Sequence, residues 1–228
     1  MVLVNLGHNF NYETENLCRV FFPLEKIEVV NEEKDGERKI ITQKNNNKIS
    51  IKIQFEENCK FAEKECNSGD NFELEIATLL FELLTQVTSY IPQWGLLTGV
   101  RPSKLMINLI NEYGFENAKK YFVEKLLVSE KKTKLAMDVA ECEEKIISLS
   151  RPDSFSLYIS IPFCPTRCSY CSFVSHSIEK TKKLMAPYVE NLCEEIKYTG
   201  KIAKDLKLRL ETFAIFPVYF ISSQRFST

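Results

Sequence analysis

The sequence predicts an α/β protein in two parts. An N-terminal α+β domain with a helical segment spans residues 1–150, and the first strand–loop–helix–strand of a parallel α/β unit spans residues 151–228. Three observations predict it. Apolar spacing changes from every second residue to every third or fourth near residue 71. A short polar connector, Ser150-Arg151-Pro152-Asp153, separates the halves. Beyond it Phe155 to Ile161 is nearly continuous apolar sequence, the pattern of a parallel strand covered on both faces.

Each element follows from local pattern. Val2, Val4 and Leu6 alternate before the Gly7 turn, and Leu17, Val20 and Phe21, with Tyr12, suit a short helix closing at Pro23. Ile27–Val30 and Arg38–Thr42 flank Glu33-Lys34-Asp35-Gly36 and read as a hairpin. Ile49, Ile51, Ile53 and Phe55 make a strand with one buried face. From Asn71 to Tyr90 the apolar spacing is helical, with Pro92 as its stop. Arg101-Pro102-Ser103 opens a further helix that Gly114 ends. Two more helices are expected at 116–127 and 130–149, the second capped by Ser129. Past the connector, a helix over 181–199 stops at Gly200, and Leu208 to Ile215 forms the next strand.

Composition narrows the function. Thirty basic and thirty-one acidic residues leave a net charge of -1, without the concentrated basic face that nucleic acid requires. The N-terminus lacks a basic segment, an apolar stretch and a cleavage pattern, and no run reaches the ~18 apolar residues of a membrane span. A cytoplasmic location is expected, where thiols stay reduced and cysteines serve as ligands or core residues.

Of eight cysteines, Cys164, Cys168 and Cys171 fall in one C-x3-C-x2-C segment. Three thiolates from one short loop can hold three irons of a [4Fe-4S] cubane and leave the fourth without a protein ligand, like a catalytic metal with an open position. The competing assignment is a zinc site completed by His176 or Cys193, although zinc sites favour paired C-x2–4-C knuckles. Cys59 and Cys66, in a charged and exposed stretch, read as ordinary thiols, as do Cys18, Cys142 and Cys193 on helical faces. His8 reads as a turn residue. His176, five positions after the cluster segment, reads as a surface histidine that is within reach of substrate or iron.

The cysteine segment resembles that of radical S-adenosylmethionine (SAM) enzymes. The resemblance implies that the open iron binds the amino and carboxylate groups of SAM, whose reductive cleavage yields a 5′-deoxyadenosyl radical, and that Tyr170 packs beside the adenine. The flank Leu157-Tyr-Ile-Ser-Ile-Pro-Phe-Cys164 resembles the start of the barrel in oxygen-independent coproporphyrinogen III oxidases, which implies a SAM contact for Tyr158. Trp94-Gly-Leu-Leu-Thr-Gly-Val-Arg-Pro-Ser-Lys-Leu105 is similar to the N-terminal region of the HemZ-type coproporphyrinogen dehydrogenase branch. The fold implied is the first βα units of an incomplete radical SAM (β/α) barrel. The activity implied is oxidative decarboxylation of two propionates of coproporphyrinogen III to vinyl groups, giving protoporphyrinogen IX. A propionate β-carbon has no acidic hydrogen, so a radical is needed to remove one. The partners implied are a porphyrinogen or haem and an electron donor such as flavodoxin or ferredoxin. No catalytic side chain is assigned. Arg101 is either a propionate-binding arginine or a helix-start residue, and Trp94 is expected to pack.

Two features depart from that pattern. Phe173 stands where the best-understood branch has a fourth cysteine, as in a second branch associated with haem delivery, so a haem chaperone-like binding protein is the alternative function. Only 57 residues follow Cys171, against roughly 200 for a complete barrel. Leu210-Glu211-Thr212 begins the second barrel strand, yet the glycine run that ends it in the family is absent. Pro217 would interrupt a central strand. A truncated or frameshifted product diverging near Phe213 is expected, and with it an inactive remnant as a further reading.

Overall fold

A computed structural model describes residues 1–56, 58–67, 69–99, 101–166, 171 and 173–216. The chain divides into two compact units, Met1–Glu144 and Lys145–Thr228. No closed barrel is formed among the described residues. None of the described helices is long and apolar enough to cross a membrane.

The first unit opens with β1 (Val2–Leu6), α1 (Asn11–Phe21), β2 (Glu28–Val30), β3 (Arg38–Asn45), β4 (Lys48–Phe55), β5 (Asn58–Glu65) and α2 (Phe72–Thr88). The sheet is mixed, in the order β2-β1-β3-β4-β5. β1 runs parallel to both β2 and β3, whereas β3, β4 and β5 form an antiparallel meander. The expected hairpin of β2 on β3 is therefore not formed, because β1 lies between them. The connection instead crosses β1 so closely that a Cβ at Gly36 would meet Val2 Cγ2 at 3.0 Å. A three-residue β2 makes this possible, since the chain has only about two residues of strand to retrace.

β4 behaves as its alternation predicts, with Ile49, Ile51, Ile53 and Phe55 all buried. They pack with Leu17 and Phe21 of α1 and Ile76 and Leu80 of α2. Asn71 caps α2, its side chain accepting from Leu74 N at 3.3 Å. The strict alternation read for β1 does not hold. Leu3, Val4 and Asn5 are all fully buried, because a central strand is covered on both faces. Asn5 is satisfied there: its Nδ2 donates to Asn11 Oδ1 at 2.8 Å and Thr14 Oγ1 at 3.1 Å, and its Oδ1 accepts from Thr42 Oγ1 at 2.6 Å. Asn5→Ala removes these buried hydrogen bonds and is expected to cost about 1–3 kcal/mol in urea unfolding.

His8 is tied to the same network through Thr42 Oγ1 at 2.8 Å and stacks on Phe10 with centroids 5.2 Å apart. Burial holds its imidazole below the usual value, an effect opposed by the Thr42 bond and reinforced by the Lys44 charge. The unfolded chain therefore binds the proton more readily, so this contribution is present above pH ~6.5 and is lost as pH falls towards the lower folded value. His8→Gln is expected to flatten the dependence of the thermal midpoint between about pH 5 and 7.

The rest of the unit is helical: α3 (Pro102–Tyr113), α4 (Phe115–Lys120), a π-helical turn (Tyr121–Lys125) and α5 (Glu130–Ile147). Met106, Phe122, Val128 and Met137 form their core. Ser129 caps α5 as expected, its Oγ accepting from Lys132 N at 3.3 Å. The single helix expected over 116–127 is broken by the π turn, where Leu126 N donates back to Tyr121 O at 3.0 Å. That turn presents the Leu126 carbonyl to Leu96 N at 2.8 Å, while Ser129 N donates to Gln93 O at 3.0 Å. The Trp94 segment is thus strapped against residues 126–129. Gly95 has φ +55, and a Cβ there would lie 2.1 Å from Leu126 O.

The second unit contains β6 (Ser154–Ser160), β7 (Phe163–Cys164), β8 (His176–Ser177), α6 (Ile178–Asp205) and β9 (Arg209–Phe216). β6 and β9 pair in parallel with a bulge at Glu211. Two expectations are corrected. α6 runs through Gly200 to Asp205 and does not stop there, its last turns carrying Ala203, 8% exposed. β6 is not buried on both faces. Phe155 and Leu157 line a groove with Ile196 and Ala203 of α6, while Tyr158 on the other face is 54% exposed. Only one helical layer covers this sheet among the described residues.

Candidate functional site

The cysteine segment begins where β6 ends. β6 and β9 are parallel, so their carboxyl ends lie together, and the loop opens directly beyond them. In open α/β sheets ligands bind in this region. The loop is closed at its base: β7 pairs in parallel with β8, Phe163 opposite His176 and Cys164 opposite Ser177. His176 N adds a hydrogen bond to Pro162 O at 2.7 Å. α6 then leaves directly from β8, so the order is strand, cysteine loop, helix, parallel strand, as the sequence predicts.

Cys164 and Cys171 are both half-buried and neither is in a disulfide. The Cys171 thiol lies 3.9 Å from Phe173 O, in position to donate. Cys168 and Tyr170 lie outside the described residues, as do Pro217 and the residues after it. Two of the three expected ligands are therefore located, on either side of the loop. The donor set suits an iron–sulfur cluster, since thiolates are the soft ligands such clusters take. The zinc alternative loses one of its fourth ligands to geometry. Cys193 is exposed and stands fifteen residues along α6, about 22 Å of helix from the loop exit. His176 is exposed, with its backbone engaged in the β7–β8 bridge.

An aromatic surface borders the loop. The Tyr158 ring stacks on Phe216 with centroids 5.6 Å apart and planes at 15°, and Phe173 stacks on Phe216 from 6.5 Å at 20°. All three rings are exposed, Phe216 at 43% and Phe173 at 61%. Below them Thr212 Oγ1 donates to Ser156 Oγ at 2.8 Å. At the opposite end of the sheet, Ser150 and Ser154 donate to the Glu211 carboxylate. These two bonds, chiefly, hold Glu211 below the usual carboxylate range and fasten the bulge, far from the cysteines.

Sequence reasoning missed two residues. Phe216 was grouped with a divergent tail, but it is the last paired residue of β9 and the centre of the aromatic stack. Tyr188 lies inside the helix predicted over 181–199 and belongs to no motif. Its hydroxyl donates to Ser160 O, and its ring meets Phe163 edge-on at 5.3 Å. An aromatic with a polar tip on a core-facing stripe was the one available signal. Other sequence candidates stay local to the first unit. Arg101 is an exposed N-cap of α3 with no side-chain capping bond. Trp94 packs on the α3–α5 core under Lys132 Nζ, 5.2 Å from its ring. Cys18 is buried, its thiol pushed up to about 12 by burial and by Glu15. Cys66 is also buried, contrary to expectation, because its N–H is drawn in to Asn47 O at 2.7 Å at the end of β5.

No protein-family model and no solved structure matches the chain. A curated protein of Bacillus subtilis (strain 168), the oxygen-independent coproporphyrinogen-III oxidase-like protein HemZ, is similar to it. The two are 27% identical over 163 residues, covering 69% of this chain and 32% of the relative. The chain thus spans about a third of that relative's length.

Proposed function

We propose that the chain carries the cluster-binding part of a radical SAM oxidoreductase acting in porphyrin biosynthesis, with coproporphyrinogen III as the substrate class. The observation that carries the reading is the C-x3-C-x2-C segment at the carboxyl end of a parallel strand, its base tied by the β7–β8 bridge. The distant similarity to a coproporphyrinogen-III oxidase-like protein supports the substrate class.

In this reading Cys164, Cys168 and Cys171 lose their protons and hold three irons of a [4Fe-4S] cluster. Once reduced by an external electron donor, such a cluster with SAM would supply a carbon radical able to take hydrogen from an unactivated carbon. Tyr158, two residues before the end of β6 and exposed, would contact SAM, and the resemblance assigns Tyr170 to the adenine. Phe216 and Phe173 extend the aromatic surface from Tyr158, against which an apolar part of the substrate could pack.

Anaerobic reconstitution is expected to give a brown protein with about four irons and four sulfides per chain. A colourless protein with a single zinc would overturn the reading. One observation favours a second reading, a haem chaperone-like binding protein: at the fourth-cysteine position Phe173 exposes an aromatic ring in line with Phe216, a surface suited to a flat macrocycle. Vinyl product on incubation with SAM, reductant and coproporphyrinogen would establish the oxidoreductase, and a shifted Soret band on titration with haem would establish the binding protein.

A further inference from the structure

We infer that Tyr188 is the positioning residue of the cysteine loop, fastening the end of β6 and the residue before Cys164 so that the Cys164 thiolate is held in place for the cluster; this rests on the iron–sulfur reading above. One side chain makes both attachments. Its hydroxyl donates to the carbonyl of Ser160, the last residue of β6. Its ring lies edge-on to Phe163, at an interplanar angle of 84°. Phe163 is 5% exposed, the buried anchor of a loop whose flanking residues are only half-buried. Since Phe163 also pairs with His176, a hold on Phe163 reaches both legs of the loop.

The connectivity explains why this task falls to α6. The helix starts at the loop exit and returns alongside β6, so ten residues in, about 15 Å of helix, it is level with the strand's carboxyl end. A phenylalanine at 188 would serve the packing alone. The hydroxyl adds a directional bond that fixes the height of the strand end, four residues before Cys164. Small displacements there matter, because a site held 1 Å too loosely is a common cause of lost function.

The test is carried out on the full chain without iron, then after reconstitution. Cys164 alkylation is timed by mass spectrometry in wild type, Tyr188→Phe and Tyr188→Ala. Cys193, exposed on the same helix, is the internal control. Tyr188→Ala is expected to speed Cys164 alkylation several-fold with Cys193 unchanged, and Tyr188→Phe to speed it less. Faster Cys164 alkylation accompanied by loss of helical circular dichroism would instead report general unfolding of α6, and that result overturns the inference. After reconstitution, Tyr188→Phe is expected to retain iron and show an altered EPR line shape for the reduced cluster. Wild-type Cys164 rates in both variants would also overturn the inference. Faster Cys164 alkylation in a protein whose wild type takes up no iron would support the hold on the loop and defeat the cluster reading, so the two failures are distinguishable.

Discussion

Cys164→Ser, Cys168→Ser and Cys171→Ser are each expected to reduce iron and sulfide in the reconstituted protein from about four of each per chain to a small residue. A cluster with one open iron has no spare protein ligand. Removing one thiolate leaves two irons unheld, and the hard, protonated serine hydroxyl does not substitute for soft sulfur near neutral pH. Cys193 is no replacement, since it stands about 22 Å along α6 from the loop exit. Cys142→Ser and Cys193→Ser, on exposed helical faces, are expected to load as wild type does. Full iron and sulfide in Cys164→Ser would contradict the ligand assignment.

Gly95→Ala is expected to destabilise the first unit by about 3–5 kcal/mol. Two costs add. Alanine at φ +55 is strained by about 1–2 kcal/mol. Its Cβ would also sit 2.1 Å from Leu126 O and 2.4 Å from Leu127 O, backbone atoms that cannot rotate away. Relieving that contact means breaking the 2.8 Å bond from Leu96 N to Leu126 O and lifting the strap from the π turn. Trp94, the chain's one tryptophan, lies in that strap and reports the loss by fluorescence. With a urea slope of about 1–3 kcal/mol per M, the midpoint should fall by more than ~1 M. A midpoint unchanged from wild type would show that the strap carries no stability.

Elements whose pattern repeats along the chain were legible. β4 shows its alternation, α2 its helical spacing, and Ser129 caps α5 as its side chain predicts. Elements decided by distant partners were not. The β2–β3 hairpin was a sound local reading that failed because β1, more than twenty residues earlier, pairs with both strands. Gly200 reads as a stop, and glycine costs about 1 kcal/mol inside a helix, yet α6 continues because its next turn packs Ala203 near β6 and β9. Phe216 and Tyr188 carried no motif. Their relation to Tyr158 and Phe163 arises only when β9 pairs with β6 and α6 folds back.

The sequence by itself determined the spacing of the three cysteines, the order strand–loop–helix–strand and the position of the cysteine segment within it. These are properties of residue type and spacing, and a short loop keeps them wherever it is placed. Only the tertiary structure decided that the loop's legs are bridged by β7 and β8, that Tyr188 fastens one of them, and that three aromatic rings border the opening. Those features depend on contacts between residues 10–60 positions apart. Such contacts form when burial and hydrogen bonding offset the entropy of closing the intervening chain.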